Sequence, residues 1–164
     1  MTGMKRFHFD EEKATEMIVH ILNKTETCDI TNLMNICYLV DLHHLKNYGR
    51  PITGNAYTKL NNGVRVVEVE IVVELSLLTN KVITLKDGAL CATREADLMK
   101  LSKSDLECMN HITNSFHTMT KSKLSNECCG IAWQSVEYHA EIKLEHLLNE
   151  IGDESLTNYL LKGD

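Results

Sequence analysis

Residues 29–54 read DITNLMNICYLVDLHHLKNYGRPITG, and the way this run is filled and ended decides the fold. Leu33, Met34, Ile36, Cys37, Leu39, Val40, Leu42 and Leu45 are too many apolar positions for the single stripe of a surface helix. A helix that is apolar on several faces is a buried one, so the run predicts a central helix from about Asp29 to Asn47. Gly49 suits the left-handed position just past a helix end, and Pro51 beyond it cannot continue the helix.

Toward the N-terminus, Asp10 can cap an earlier helix, with Glu11 and Glu12 where the helix dipole favours acids. Ala14, Met17, Ile18, Ile21 and Leu22 then recur at helical spacing. Toward the C-terminus, residues 64–78 are ambiguous. Val67-Glu68-Val69-Glu70-Ile71 alternates like a strand, while the length of the segment suits a helix. Lys86-Asp87-Gly88 between VITL and ALCAT predicts a hairpin around residues 81–94. Ser102 with Asp105 three residues later forms a capping-box pattern ahead of Leu106, Met109, Ile112 and Phe116. Thr120 can cap a short helix ending near Gly130. Val136, Ala140, Leu144, Leu147, Leu148 and Ile151 define a further helix stopped by Gly152, and Leu156, Tyr159 and Leu160 a last turn or two. The expectation is an α+β, mainly α-helical fold: about five helices in one domain over residues 1–164, with a small antiparallel hairpin and a flexible start at residues 1–6.

Composition excludes several function classes. Hydrophobic residues make up 43% of the 164 positions and charged residues 24%, as in an ordinary globular protein. The net charge of −6, with lysine and arginine dispersed among acids, lacks the basic stripe of a nucleic-acid binder. No stretch approaches the roughly 20 apolar residues that span a bilayer, and the N-terminus lacks the apolar core of a secretory signal, so we expect a cytoplasmic protein without membrane contact. Cys28, Cys37, Cys91, Cys108, Cys128 and Cys129 include no CxxC pair and read as small core hydrophobes. No metal and no cofactor is expected, and no GxGxxG or GxxxxGK[ST] motif supports a nucleotide.

Chemistry concentrates in Asp41–Gly54. Asp41 and His44 are three apart, share a helix face and can pair. With Arg50 they could serve a small hydrolase or transferase, or they could tie the helix end to the adjoining loop. Arg50 could grip an anion bidentately or bond the last carbonyls of the helix. Trp133 reads equally as a partner anchor or as core.

The order Asp41, His44, Leu45, Tyr48, Gly49, Arg50, Pro51, Ile52, Thr53, Gly54 resembles the D-x-x-H-L-x-x-Y-G-R-P-I-T-G signature of the Panacea domain, the SocA-like antitoxins of toxin–antitoxin systems. Tyr57 and Gly63 fall where that family has tyrosine and glycine, Leu101–Asn110 is similar to its L-S-x-S-D segment, and Leu124 to Trp133 to its closing segment. The chain departs from the pattern at Val64-Arg65-Val66, where the family has Pro-Val-Pro, and at Cys129, where it has histidine. The resemblance covers the chain from about Phe7 onward. It implies a helical core with a small β-element, a helix rather than a strand at residues 64–78, and no catalytic residues. It also implies binding to a cognate protein toxin encoded in the neighbouring gene, by masking it or by delivering it to a protease as an adaptor. The signature residues Asp41, His44, Tyr48, Gly49, Arg50, Pro51, Thr53, Gly54 and Tyr57, with Trp133, are the candidate partner-binding set. Nothing in the pattern bears on oligomeric state.

Overall fold

The structure is a computed structural model that describes residues 7–25, 28–79, 81–116 and 118–162. The start expected to be flexible, residues 1–6, lies outside the described residues.

Helix α1 (Glu11–Lys24) begins where Asp10 accepts the Lys13 N–H, and it buries Ala14, Met17, Ile18, Ile21 and Leu22 on its inner face. Helix α2 (Ile30–Tyr48) begins at Asp29, whose side chain accepts from the Asn32 N–H, and ends at Gly49 with φ 76°. Leu33, Ile36, Cys37 and Val40 of α2 are fully buried, and Met34, Tyr38 and Leu45 nearly so. α2 is therefore the axis of the molecule, as its sequence requires.

Strands β1 (Tyr57–Leu60) and β2 (Gly63–Val66) form a hairpin, and helix α3 (Val67–Thr79) continues from it without a break. The ambiguous residues 64–78 are thus both things in turn: a strand to Val66 and a helix from Val67. β2 pairs with β1 as far as Tyr57–Val66, and from Val67 on the alternating VEVEI run is helical. A two-stranded pair, β3 (Ile83–Lys86) and β4 (Ala89–Ala92), turns through Asp87 and Gly88, both with positive φ, as the Asp-Gly signal predicts. After a single 3₁₀ turn at Leu98–Lys100 comes α4 (Lys103–Phe116), whose capping box is reciprocal: Asp105 N–H donates to Ser102 Oγ, and Ser102 N–H to Asp105 Oδ2. α5 (Lys121–Glu127) starts at Thr120 as predicted, and α6 (Ile131–Gln134) comes next.

The helix expected over Val136–Ile151 is half as long. Only α7 (Leu144–Ile151) is helical, and Glu141–Ile142 forms β5, which pairs antiparallel with β1. Tertiary pairing overrides the helical periodicity here: His139 N–H donates to Lys59 C=O, and Lys59 N–H to Ala140 C=O. Gly152 closes α7 in the left-handed conformation, and α8 (Glu154–Lys162) carries the buried Leu160. The fold is α+β and mainly helical, with eight helices among the described residues, a β2-β1-β5 sheet and the β3-β4 pair.

α2 packs against α1, α3, α4, α5 and β2. Two side chains lock the β1–β2 hairpin onto it. Asn35 of α2 donates to Asn62 C=O and accepts the Val64 N–H, a bond that a proline at position 64 could not make. Trp133 Nε1 donates to the carbonyls of both Leu60 and Gly63, so its indole serves the hairpin whatever else it does. Val64 and Val66 face the core, and Arg65 turns outward toward Glu70.

Candidate functional site

The C-terminal half of α2 holds two polar clusters. In the first, Asp41 is 2% exposed and gathers the loop that leaves the helix. Its Oδ1 accepts from the Ile52 N–H at 3.0 Å; its Oδ2 accepts from Asn55 Nδ2 at 3.2 Å and from the Tyr57 hydroxyl at 2.6 Å. Asn55 Nδ2 also contacts Thr53 Oγ1. Burial pushes the Asp41 carboxyl above its ordinary range in spite of these donors, and burial together with Asp41 pushes the Tyr57 phenol far up.

In the second cluster His44 is fully buried. Its Nδ1 sits 2.7 Å from Arg50 C=O, which can only accept, so Nδ1 carries the proton. Its Nε2 lies 2.9 Å from Ser104 Oγ and 3.3 Å from Asp105 Oδ1. The second distance suggests an ion pair. Burial and the Arg50 charge nevertheless outweigh the carboxylate and hold the imidazole pKa down, so Ser104 donates to a neutral ring. Asp105 is itself fully buried, and its charge is taken up by Lys13 at 2.8 Å and Arg50 at 3.4 Å. Burial alone would raise its pKa, but Lys13 and the Ser102 N–H hold it down.

Asp41 and His44 therefore do not pair. Each bonds a different part of the same loop, and that arrangement ties the end of α2 to residues 50–55. Arg50 bonds Asp105 and the Pro51 carbonyl rather than the last carbonyls of α2, because the buried carboxylate on α4 is the stronger acceptor. The triad proposed for a hydrolase or transferase does not converge, and His44 lines neither the cleft beside Asp41 nor the hollow between Leu39 and Ile112. No cluster of three or more His, Cys, Asp or Glu among the described residues could hold a metal ion.

The signature is thus mostly turned inward. Thr53 is 1% exposed, while Tyr48 reaches the surface and donates to Glu107 Oε2. Gly49 and Gly54 have φ of 76° and 77°, and at Gly54 a Cβ would meet the His8 carbonyl oxygen at 2.7 Å. Where the signature does face outward, it lines a cleft of about 640 Å³ through Asp41, Pro51, Gly54 and Tyr57, with Ile142 and Leu144 opposite. Asn55 and Asp105 escaped the sequence reading as site residues. Asn55 stands in no recognisable pattern, and Asp105 read only as half of a capping box.

Trp133 is half-buried, with Lys59 Nζ 3.8 Å from its ring centroid and Tyr138 packed edge-on. Cys28, Cys37, Cys108 and Cys128 are buried free thiols, and Cys91 and Cys129 are half-buried. On the outside of α3, Ile71, Leu75 and Leu78 are 48%, 54% and 80% exposed at a spacing that puts them in one stripe. No helix among the described residues is long and apolar enough to cross a membrane.

A family model described as antitoxin SocA-like, Panacea domain, matches residues 33–134. No curated protein and no solved structure matches the chain.

Proposed function

The chain belongs to the SocA-like antitoxin family of Panacea domains, and on that premise we propose that it neutralises a protein toxin encoded in the neighbouring gene by binding it directly. The observation that carries this reading is the family match, which takes in α2, the signature loop, β1–β2, α3 and α4. The surface supports it. α3 is apolar on nearly all sides, yet its outer stripe of Ile71, Leu75 and Leu78 is left in water, which is what a helix awaiting a protein partner presents. A stable complex buries roughly 1,200–2,000 Å² in total. The inward-facing signature then acts as a frame: Asp41, His44 and Arg50 fix the path from α2 into the sheet, and the frame holds the interface in shape. Non-enzymatic action accords with membership and with the divergence of Asp41 and His44.

The test is co-expression of this chain with the product of the adjacent gene. Rescued growth and co-purification as a stable complex are expected; toxicity without rescue sinks the reading. Tracking toxin abundance in the same cells separates masking, which leaves it unchanged, from delivery to a protease, which lowers it.

A further inference from the structure

The molecule has two buried aspartates at the same end of α2, and they are treated differently. Asp105 is offset by Lys13 and Arg50. Asp41 takes part in no ion pair among the described residues; its partners are the backbone N–H groups of Ile52 and Thr53, an amide and a phenol, so it is hydrogen-bonded but carries no counter-charge. Beside it, Asn55 is 9% exposed and its Oδ1 is buried without a hydrogen-bond partner. The amide cannot turn round to hide that oxygen, because its Nδ2 is held between Asp41 and Thr53. Both residues line the cleft of about 640 Å³, whose walls are apolar through Phe7, Leu45, Ile142 and Leu144. The rim carries one charge of each sign, Glu141 and Lys143, both exposed.

We propose that this cleft receives an arginine side chain presented by the toxin, its guanidinium on Asp41 and Asn55 and its stem along the apolar walls; the choice of occupant rests on the antitoxin reading above. The carboxylate lacks a counter-charge and the amide oxygen lacks a donor, and only a cation offsets the first while bonding the second. Guanidinium suits the pair better than ammonium: its planar fork reaches two acceptors at once, and it sheds water more readily. The aliphatic stem matches walls that a small hydrophilic ion would leave bare.

The probe is a blocked arginine, N-acetyl-arginine methylamide, titrated into the full-length ¹⁵N-labelled chain, with blocked citrulline as its uncharged isostere. Arginine is expected to shift the Asn55 side-chain amide and the Tyr57 and Ile142 backbone signals, and citrulline to leave them in place. Asn55→Leu should weaken arginine binding about tenfold, the loss of one charge-assisted bond. Leu144→Trp, which narrows the cleft from its apolar wall without touching the polar floor, should abolish binding. Equal response to citrulline, no response to arginine, or unchanged binding in Leu144→Trp overturns the proposal. In co-expression, rescue by the wild type and loss of rescue by folded Leu144→Trp supports the toxin as occupant. Equal rescue by both overturns the cleft and leaves the antitoxin reading standing. Failure of the wild type to rescue removes the occupant and that reading together.

Discussion

Tyr57 donates its hydroxyl to Asp41 across 2.6 Å, joining the first strand of the sheet to the middle of the central helix. Both residues are nearly inaccessible to water, so neither can exchange this bond for hydration. Tyr57→Phe removes the donor and leaves a buried carboxylate with the Ile52 and Thr53 N–H groups and the Asn55 amide. A loss of about 1–3 kcal/mol is expected in urea unfolding, with the slope unchanged. An unchanged midpoint would show that the bond contributes nothing net.

Asp105 is the anchor for Lys13 and Arg50 and half of the α4 capping box. Asp105→Asn strands two cations against a neutral amide while keeping the shape. Because breaking one side of a buried ion pair is costly, the expected destabilisation is about 3 kcal/mol, larger than for Tyr57→Phe. Thermal unfolding of the two variants side by side orders them.

Stability should fall on mild acidification. Burial holds the folded-state pKa of His44 below the ordinary value, and burial with the neighbouring His111 and Lys46 does the same for His43. The unfolded chain takes up these protons near pH 6.5, about the free imidazole value, before the folded chain does. Over that window the unfolded state binds more protons, so stability declines as pH drops below about 6.5. Asp105 and Glu16, with depressed folded-state values, add a second loss only as pH falls through the carboxylate range. Asp41, whose value is raised, works against that second loss. His44→Asn keeps a donor for Arg50 C=O and removes the titration. Its urea midpoint should vary less between pH 7.5 and about 5.5 than that of the wild type. An equal slope would assign the effect to His43, whose ring stacks 4.5 Å from that of His111.

Gly54→Ala should destabilise for two separate reasons. The left-handed φ of 77° costs a side-chain-bearing residue about 1–2 kcal/mol, and the new Cβ presses on the His8 carbonyl oxygen at 2.7 Å. The same change at Gly88, where nothing lies within 4 Å of the added atom, carries only the first cost. The difference between the two variants in thermal unfolding isolates the contact over the signature loop.

Leu75→Glu, in the exposed stripe of α3, should leave thermal unfolding within about 0.5 kcal/mol of the wild type, as surface changes do. Loss of co-purification with the neighbouring gene product is expected. A complex that survives Leu75→Glu together with Leu78→Glu places the interface elsewhere.

The parts of this fold that were legible in sequence are those whose causes are local. Asp10 and Thr120 each cap a helix with the side chain found doing so, the central helix starts beside Asp29 as expected, and Asp87-Gly88 makes the predicted turn. The three-stranded sheet was not legible, because its strands are short and held from afar. Trp133 and Asn35 clamp the hairpin from distant segments, and β5 is two residues long. One local signal is Asn61-Asn62-Gly63 between two short runs: Asn61-Asn62 make the turn and Gly63 opens β2. The Asp41–Gly54 run was legible as a motif but not as geometry. Spacing placed Asp41 and His44 on one helix face, and only the tertiary contacts show that one reaches β1 and the other α4.

The pairing of β5 with β1 has a consequence for the order in which the chain is made. β1 leaves the ribosome more than eighty residues before the strand that completes its sheet. At ~5–20 residues per second, that edge waits several seconds for its partner. Until residues 139–142 emerge, the Lys59 backbone lacks its His139 and Ala140 partners and the cleft beside the signature loop lacks a wall. A nascent chain halted after residue 134 would carry the whole family-matched stretch and still present an open-sided site. The cleft is thus walled in late in translation, once residues 141–144 have been made.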